Sequence, residues 1–298
     1  MSTDIAESTL PVQPRINVRQ GTIWMLVSLL CFTANSLLLK YFATSRHIDP
    51  WVSMAFRFGI GLALTWMVFT PSGTLNLGRS FKSWLLASRG VFGGLGTAAY
   101  YFSIGHMGAG KATLVGNTWC VFSAIMAMIV LGEKLTRGKA AGIVITLGGL
   151  ALLTGLAPGT LGTFGQWELV ALVGALLAAA VVVMIRQLTA TETSATIFAS
   201  QCVYGLLLAL PFAVRHAPHL DGMDVFLLCV ASFCAAAGQL AMTEGFRFLT
   251  VAVGGAFQIT LPVVISIGSI VLFAEPFSMV QVLGAVLILA GSFQTVRK

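Results

Sequence analysis

"VLGEKLTRGKAAG" runs from Val130 to Gly142, and 142 residues further on the chain reads "LFAEPFSMVQVLG", Leu272 to Gly284. Without a gap, Glu133 falls on Glu275, Thr136 on Ser278 and Gly142 on Gly284. The flanks agree: Thr118 falls on Thr260, Leu147 on Leu289 and Gly149 on Gly291. Only the first copy is basic, through Lys134, Arg137 and Lys139. The repeat and the charge difference between its copies together decide the fold.

The 298-residue chain is 57% hydrophobic and 9% charged. An ordinary soluble domain carries about 25% charged residues. So few charges cannot cover a core of this size, which places the chain in the membrane class. The cysteines Cys31, Cys120, Cys202, Cys229 and Cys234 all lie in apolar runs and show neither a disulfide nor a metal spacing. The net charge is +7, but the basic residues form no stripe, so nucleic acid is excluded as a partner. Residues 1–20 are polar and read as a short cytoplasmic tail. The apolar run after them is too long for a signal-peptide core and reads as a retained first span.

About 20 apolar residues are needed to cross the hydrocarbon core. The chain offers ten such stretches: 21–43, 50–70, 84–105, 109–131, 138–156, 166–187, 193–213, 222–244, 249–273 and 278–296. With the N-terminus inside, Arg15, Arg19, Arg79, Lys82, Lys134, Arg137, Lys139, Arg186, Arg247, Arg297 and Lys298 are cytoplasmic. Only Lys40, Arg46, Lys111 and Arg215 are outside. The positive-inside rule therefore puts both termini in the cytoplasm. The matching segments stand five spans apart, an odd number, so the second copy runs upside down. The expected fold is all-α: ten transmembrane helices as two inverted five-helix repeats, residues 21–156 and 166–296. Many secondary transporters use this arrangement.

At "RGVFGG" (89–94), "LGEKLT" (131–136), "FAEPFS" (273–278) and "AGIVITLGGLALLTG" (141–155), the chain resembles the drug/metabolite transporter superfamily in its EamA-like branch. The resemblance covers roughly residues 22–296. It implies a carrier of small metabolites, with spans 1, 3, 4, 6, 8 and 9 around a central cavity. Cys120 stands where the second copy has Pro262. Many members of that family carry proline in both halves, so a kink in span 4 is expected to be lost.

Intramembrane polar residues are costly and usually face the bundle interior. At 100° per residue, Thr113, Gly116, Asn117, Cys120 and Ser123 form one stripe of span 4. Gly255, Gln258, Pro262, Ser266 and Ser269 form its counterpart in span 9. Span 3 adds Gly93, Gly96, Thr97, Tyr100 and Tyr101. Span 8 adds Cys229, Ser232, Ala236, Gln239 and Thr243, and span 1 adds Ser28, Cys31 and Asn35. Small and hydroxyl residues also serve helix packing. The amides Asn35, Asn117, Gln239 and Gln258 need several partners and point to a cavity. Trp119 sits mid-span beside a stripe, where it either meets substrate or packs in the core. Arg57 and Arg89 lie about 8–10 Å inside their span ends at 1.5 Å per residue. They either snorkel or bond to backbone carbonyls, or one of them meets a substrate carboxylate or phosphate. Arg89 is kept with Asn35, Tyr100, Tyr101, Asn117, Trp119, Gln239 and Gln258 as the candidate substrate-binding set. Lys40 reads as snorkelling.

Glu133 and Glu275 each precede a helix start and read as structural, with Ser278 and Gln281 spaced as a capping box. His216, His219, Asp221 and Asp224 cluster in an outer loop, but Pro218 separates the histidines and no metal site is assigned. No span centre carries Asp or Glu, which disfavours a proton relay. Nucleotide-binding and hydrolase motifs are absent, so an enzyme has no support and no cofactor is expected.

The leading reading is an inner-membrane secondary transporter, moving amino acids or related compounds by efflux or exchange. The alternative is a non-transporting receptor or assembly protein. The partners open to the chain are a small-molecule substrate, the lipid bilayer and a second copy in a homodimer.

Overall fold

The computed structural model describes residues 18–71, 73–131, 136–154, 165–188, 191–216, 220–248 and 251–296, and every regular element among them is helical. Helix α1 (Val18–Tyr41) continues into a π turn at Phe42–Arg46. Then come α2 (Pro50–Phe69), the short α3 (Leu77–Lys82), α4 (Trp84–Met107), α5 (Ala109–Gly116), α6 (Trp119–Leu131) and α7 (Arg137–Thr154). The remaining helices are α8 (Gln166–Leu188), α9 (Ser194–His216), α10 (Gly222–Phe248), α11 (Val251–Phe273) and α12 (Met279–Val296). Among the described residues, five segments are long and apolar enough to cross a membrane: Val18–Arg46, Pro50–Phe69, Gln166–Ile185, Ser194–Arg215 and Gly222–Met242. Polarity is arranged inside out. Ser28, Asn35, Thr65 and Thr113 are buried, while Ile129, Val144, Val271 and Leu283 are exposed. A lipid-facing surface explains both halves of that pattern.

Helix starts follow local chemistry. Pro50 opens α2 behind Asp49, whose carboxylate accepts the Trp51 amide at 2.8 Å. Ser278 and Gln281 cap α12 reciprocally, at 3.0 and 3.2 Å. Span 4 departs from expectation. It is broken between α5 and α6 despite Cys120, whereas α11 continues through Pro262. The break comes from Thr118, whose amide turns back to the Val115 carbonyl at 3.1 Å while its hydroxyl donates to the same oxygen at 2.7 Å. This is a tightened three-residue turn made by a threonine, not a proline.

The repeated glycines meet each other. A Cβ on Gly149 would sit 2.7 Å from the Gly284 carbonyl, and one on Gly284 would sit 2.8 Å from that of Gly149. Gly291 would meet the Gly142 carbonyl at 2.7 Å. The numbering runs in opposite senses, so α7 and α12 lie antiparallel with their backbones in contact, as small residues permit. Gly90 and Gly94 likewise bring α4 close to α9, here running parallel: Gly90 faces Tyr204 and the Ser200 carbonyl, and Gly94 faces Gly205. Elsewhere α1 packs on α10, α4 on α8, α2 on α9 and α10, and α5 on α11.

Polar clasps tie both ends of the bundle. At one end Arg46 donates to Asp224 at 2.6 Å and to Asp221 at 2.5 Å. The amide of Asp224 and Arg46 hold the Asp221 carboxyl below its ordinary pKa. The two acids of the His/Asp cluster are thus engaged by arginine; His219 lies outside the described residues. At the other end Arg79 pairs with Glu192 at 3.0 Å, and Thr193 donates to the Thr74 carbonyl at 2.7 Å. Lys40 does not snorkel. Its ammonium is 3.6 Å from Glu275, with the two side chains only 12% and 8% exposed. A buried carboxylate within reach outcompetes the interface for this cation. Glu133 and Lys134 lie outside the described residues.

Candidate binding cavity

A cavity of about 330 Å³ opens in the middle of the bundle, a size suited to a small metabolite. Its wall draws on α1, α2, α4, α5, α6, α8, α10 and α11. Six of the candidate residues line it: Asn35, Tyr100, Asn117, Trp119, Gln239 and Gln258. The α5–α6 break turns the chain where Asn117 and Trp119 face this space. In α11, Pro262 has no N–H to offer the carbonyl of Gln258, one turn earlier.

A hydrogen-bonded ladder fixes one wall. The Tyr100 hydroxyl bonds Ser36 at 3.0 Å and Thr113 at 2.9 Å, joining α1, α4 and α5. Thr113 also reaches the Ala109 carbonyl at 2.7 Å. The Asn117 amide donates to Ser292 at 3.3 Å, tying the cavity floor to α12. Gln258 is more loosely held, with its Nε2 4.0 Å from Met25 Sδ. Asn35 is 2% exposed, and its Oδ1 has no hydrogen-bond partner among the described residues. Beside the ladder, Ala171, Gly174, Ala175 and Ala178 give α8 a smooth face at helical spacing. Gly174 there also admits Ala99 of α4, 2.9 Å from where its own Cβ would stand.

Two candidates lie elsewhere. Arg89 is 5% exposed, away from the cavity, and donates through Nη2 to Gln201 at 3.0 Å. Tyr101 is buried behind the wall. The sequence left Arg57 out of the candidate set, yet it faces the cavity from α2. Its Nη1 donates to the Tyr101 hydroxyl at 3.1 Å, and its guanidinium stands 5.7 Å from that ring's centre. No carboxylate is among the described lining residues. The wall therefore offers amides, hydroxyls, an indole and one cation. An arginine inside a membrane span is costly and rare, so one kept beside a cavity points to use.

A model of the EamA-like transporter family matches residues 19–155 and again residues 165–297. The chain belongs to the EamA-like transporter family. Its helices are those of a multi-pass membrane protein, with two EamA repeats in tandem. Among curated relatives, the pseudopaline exporter CntI of Pseudomonas aeruginosa (strain UCBPP-PA14) is 25% identical over 195 residues, 65% of this chain and 66% of the exporter. The match thus spans just under two thirds of that relative's length. An uncharacterized transporter of Archaeoglobus fulgidus is 25% identical over 279 residues, 90% of this chain and 94% of the relative. One solved crystal structure superposes with a TM-score of 0.65 at 18% identity, covering 92% of this chain and 96% of that one, a likeness of fold. In this EamA-like chain the wall-forming helices include α1, α4, α5, α6, α8, α10 and α11, with Arg57 added from α2.

Proposed function

We propose that the chain is a secondary transporter, moving amino acids or related small metabolites across the bacterial inner membrane by alternating access. Ten helices would span the bilayer as two inverted five-helix repeats, residues 21–156 and 166–296, after a cytoplasmic tail at 1–20. Both termini would be cytoplasmic. The pattern of packing favours a two-fold pair, and the antiparallel run of α7 against its equivalent α12 favours an inverted one. A shift of 142 residues carries α1 onto α8 and α4 onto α10, so the contact of α1 with α10 and that of α4 with α8 become the same contact. The same shift turns α4 on α9 into α10 on α2. Two bundles related in this way can rock about a shared centre and expose it to each side in turn.

The observation that carries the reading is the cavity, whose wall takes polar groups from both repeats: Asn35, Tyr100 and Asn117 from one, Gln239 and Gln258 from the other. One relative is named as an exporter, which favours efflux as the direction. Counterflow into liposomes, across a panel of labelled amino acids and related compounds, tests the reading. With the substrate so found, Trp119→Ala and Gln258→Ala are each expected to reduce transport about tenfold, the effect of losing ~1.4 kcal/mol of binding. Protein yield should be unchanged. Full activity in both variants would leave these residues as packing only, and absence of counterflow for every compound would sink the proposal.

A further inference from the structure

We infer that the cavity takes a substrate bearing a carboxylate, which docks on Arg57. The inference rests on the transporter reading and narrows its substrate class. Arg57 is the only cation among the described lining residues, and no acid faces it from the wall. Among the described residues no carboxylate lies within ion-pair distance of it. Its described protein partner is a neutral phenol, Tyr101, which accepts from Nη1 at 3.1 Å and turns its ring toward the guanidinium. One hydrogen bond through one nitrogen leaves the rest of a forked donor set that matches a carboxylate two bonds at a time. Three other cations among the described residues meet carboxylates: Arg46 meets Asp221 and Asp224, Arg79 meets Glu192, and Lys40 meets Glu275, while the buried Arg89, which meets Gln201, lies away from the cavity. Arg57 departs from that pattern at the place where the wall opens.

A second observation points the same way. Asn35, on the same cavity, is nine-tenths buried and has an acceptor, Oδ1, with no partner. A buried amide oxygen left unmet by the protein calls for a donor. Once its amide turns toward the cavity, Asn35 offers that oxygen to a hydrogen-bond donor carried near the ligand's carboxylate. Tyr101 acts as a positioning residue. It is 3% exposed behind the wall and holds the guanidinium without touching the cavity.

The test compares matched pairs on the purified full-length chain. The probes are the proteinogenic L-amino acids, succinate and the corresponding carboxamides, with thermal stabilisation as the readout. At least one carboxylate is expected to stabilise the protein while its amide does not. Arg57→Gln should weaken that carboxylate about a hundredfold, and Arg57→Lys, which keeps the charge but loses the fork, about tenfold. Tyr101→Phe should weaken it about threefold, and Arg57→Lys, which keeps the charge, guards against a fold defect in Arg57→Gln. Equal action of carboxylates and amides overturns the inference, as does an unchanged preference in Arg57→Gln or Arg57→Lys, or the lack of any active carboxylate. Counterflow of a compound without a negative group would overturn this inference alone. Absence of all counterflow would sink the transporter reading with it.

Discussion

Glu275→Gln is expected to lower the thermal stability of the protein on the order of 10 °C, while leaving ligand affinity in the folded fraction near normal. The carboxylate is a three-way junction. Oε1 accepts the Ala109 amide at 2.9 Å, Oε2 accepts that of Gly110 at 3.4 Å, and Lys40 stands 3.6 Å away. The first two bonds cap α5, whose N-terminus has no side-chain cap of its own. A negative charge there also meets the positive end of the helix. Gly108 makes the approach feasible: at φ 92° it has no Cβ, and one placed there would collide with the Glu275 carboxylate. Glutamine keeps an acceptor for the cap but leaves Lys40 buried without a counter-charge. Breaking one side of a buried pair costs about 3–5 kcal/mol. Adding Lys40→Met to Glu275→Gln should recover part of the loss, because the stranded cation is then gone. A stable, folded Glu275→Gln protein that no longer binds ligand would instead place this residue in the site.

Gly116→Phe is expected to abolish transport with little change in stability. Gly116 closes α5 on the cavity wall, and the nearest atom to a Cβ there is Tyr100 Cδ2 at 4.0 Å. That is ordinary van der Waals room, so the backbone need not move. A phenyl ring would then occupy much of the roughly 330 Å³ in which a substrate must sit. The neighbouring glycines behave otherwise. Gly149 and Gly284 face a carbonyl under 3 Å away, where any side chain must push α7 from α12. Counterflow and melting temperature measured on the same Gly116→Phe preparation decide the matter. Retained transport in a folded variant would mean that the substrate passes elsewhere.

The sequence shows the helices and much of the wall because both follow from rules of burial. Apolar length marks the spans, and amides that must be satisfied inside a membrane mark Asn35, Asn117, Gln239 and Gln258, which all reach the cavity. The repeat shows which glycines matter, and the structure adds that Gly149 meets Gly284 rather than its own equivalent, Gly291. Arginine was harder to read. Arg57 and Arg89 look alike in sequence, each a short way inside a span. The rotation of α2 turns Arg57 to the cavity and the α4–α9 contact seals Arg89 against Gln201. The position of Lys40 near a span end suggested snorkelling, because nothing local reveals that Glu275, more than two hundred residues later, arrives beside it. The smooth face of α8 was not read from the sequence, because small residues such as those at 171, 174, 175 and 178 serve helix packing equally well.

Alternating access requires that one cavity, between the repeats, be reached from both sides of the membrane in turn. A single cysteine at Gly116, in a chain whose five native cysteines are replaced by alanine or serine, tests this without knowledge of the substrate. Cysteines at Thr136 and Phe277, placed one at a time, serve as reference points for the two faces. The reagent is a membrane-impermeant thiol label, applied to intact cells and to inverted vesicles. Thr136→Cys is expected to react only in inverted vesicles, Phe277→Cys only in cells, and Gly116→Cys in both. Labelling of Gly116→Cys from one side alone, or of both references from the same side, would contradict that expectation.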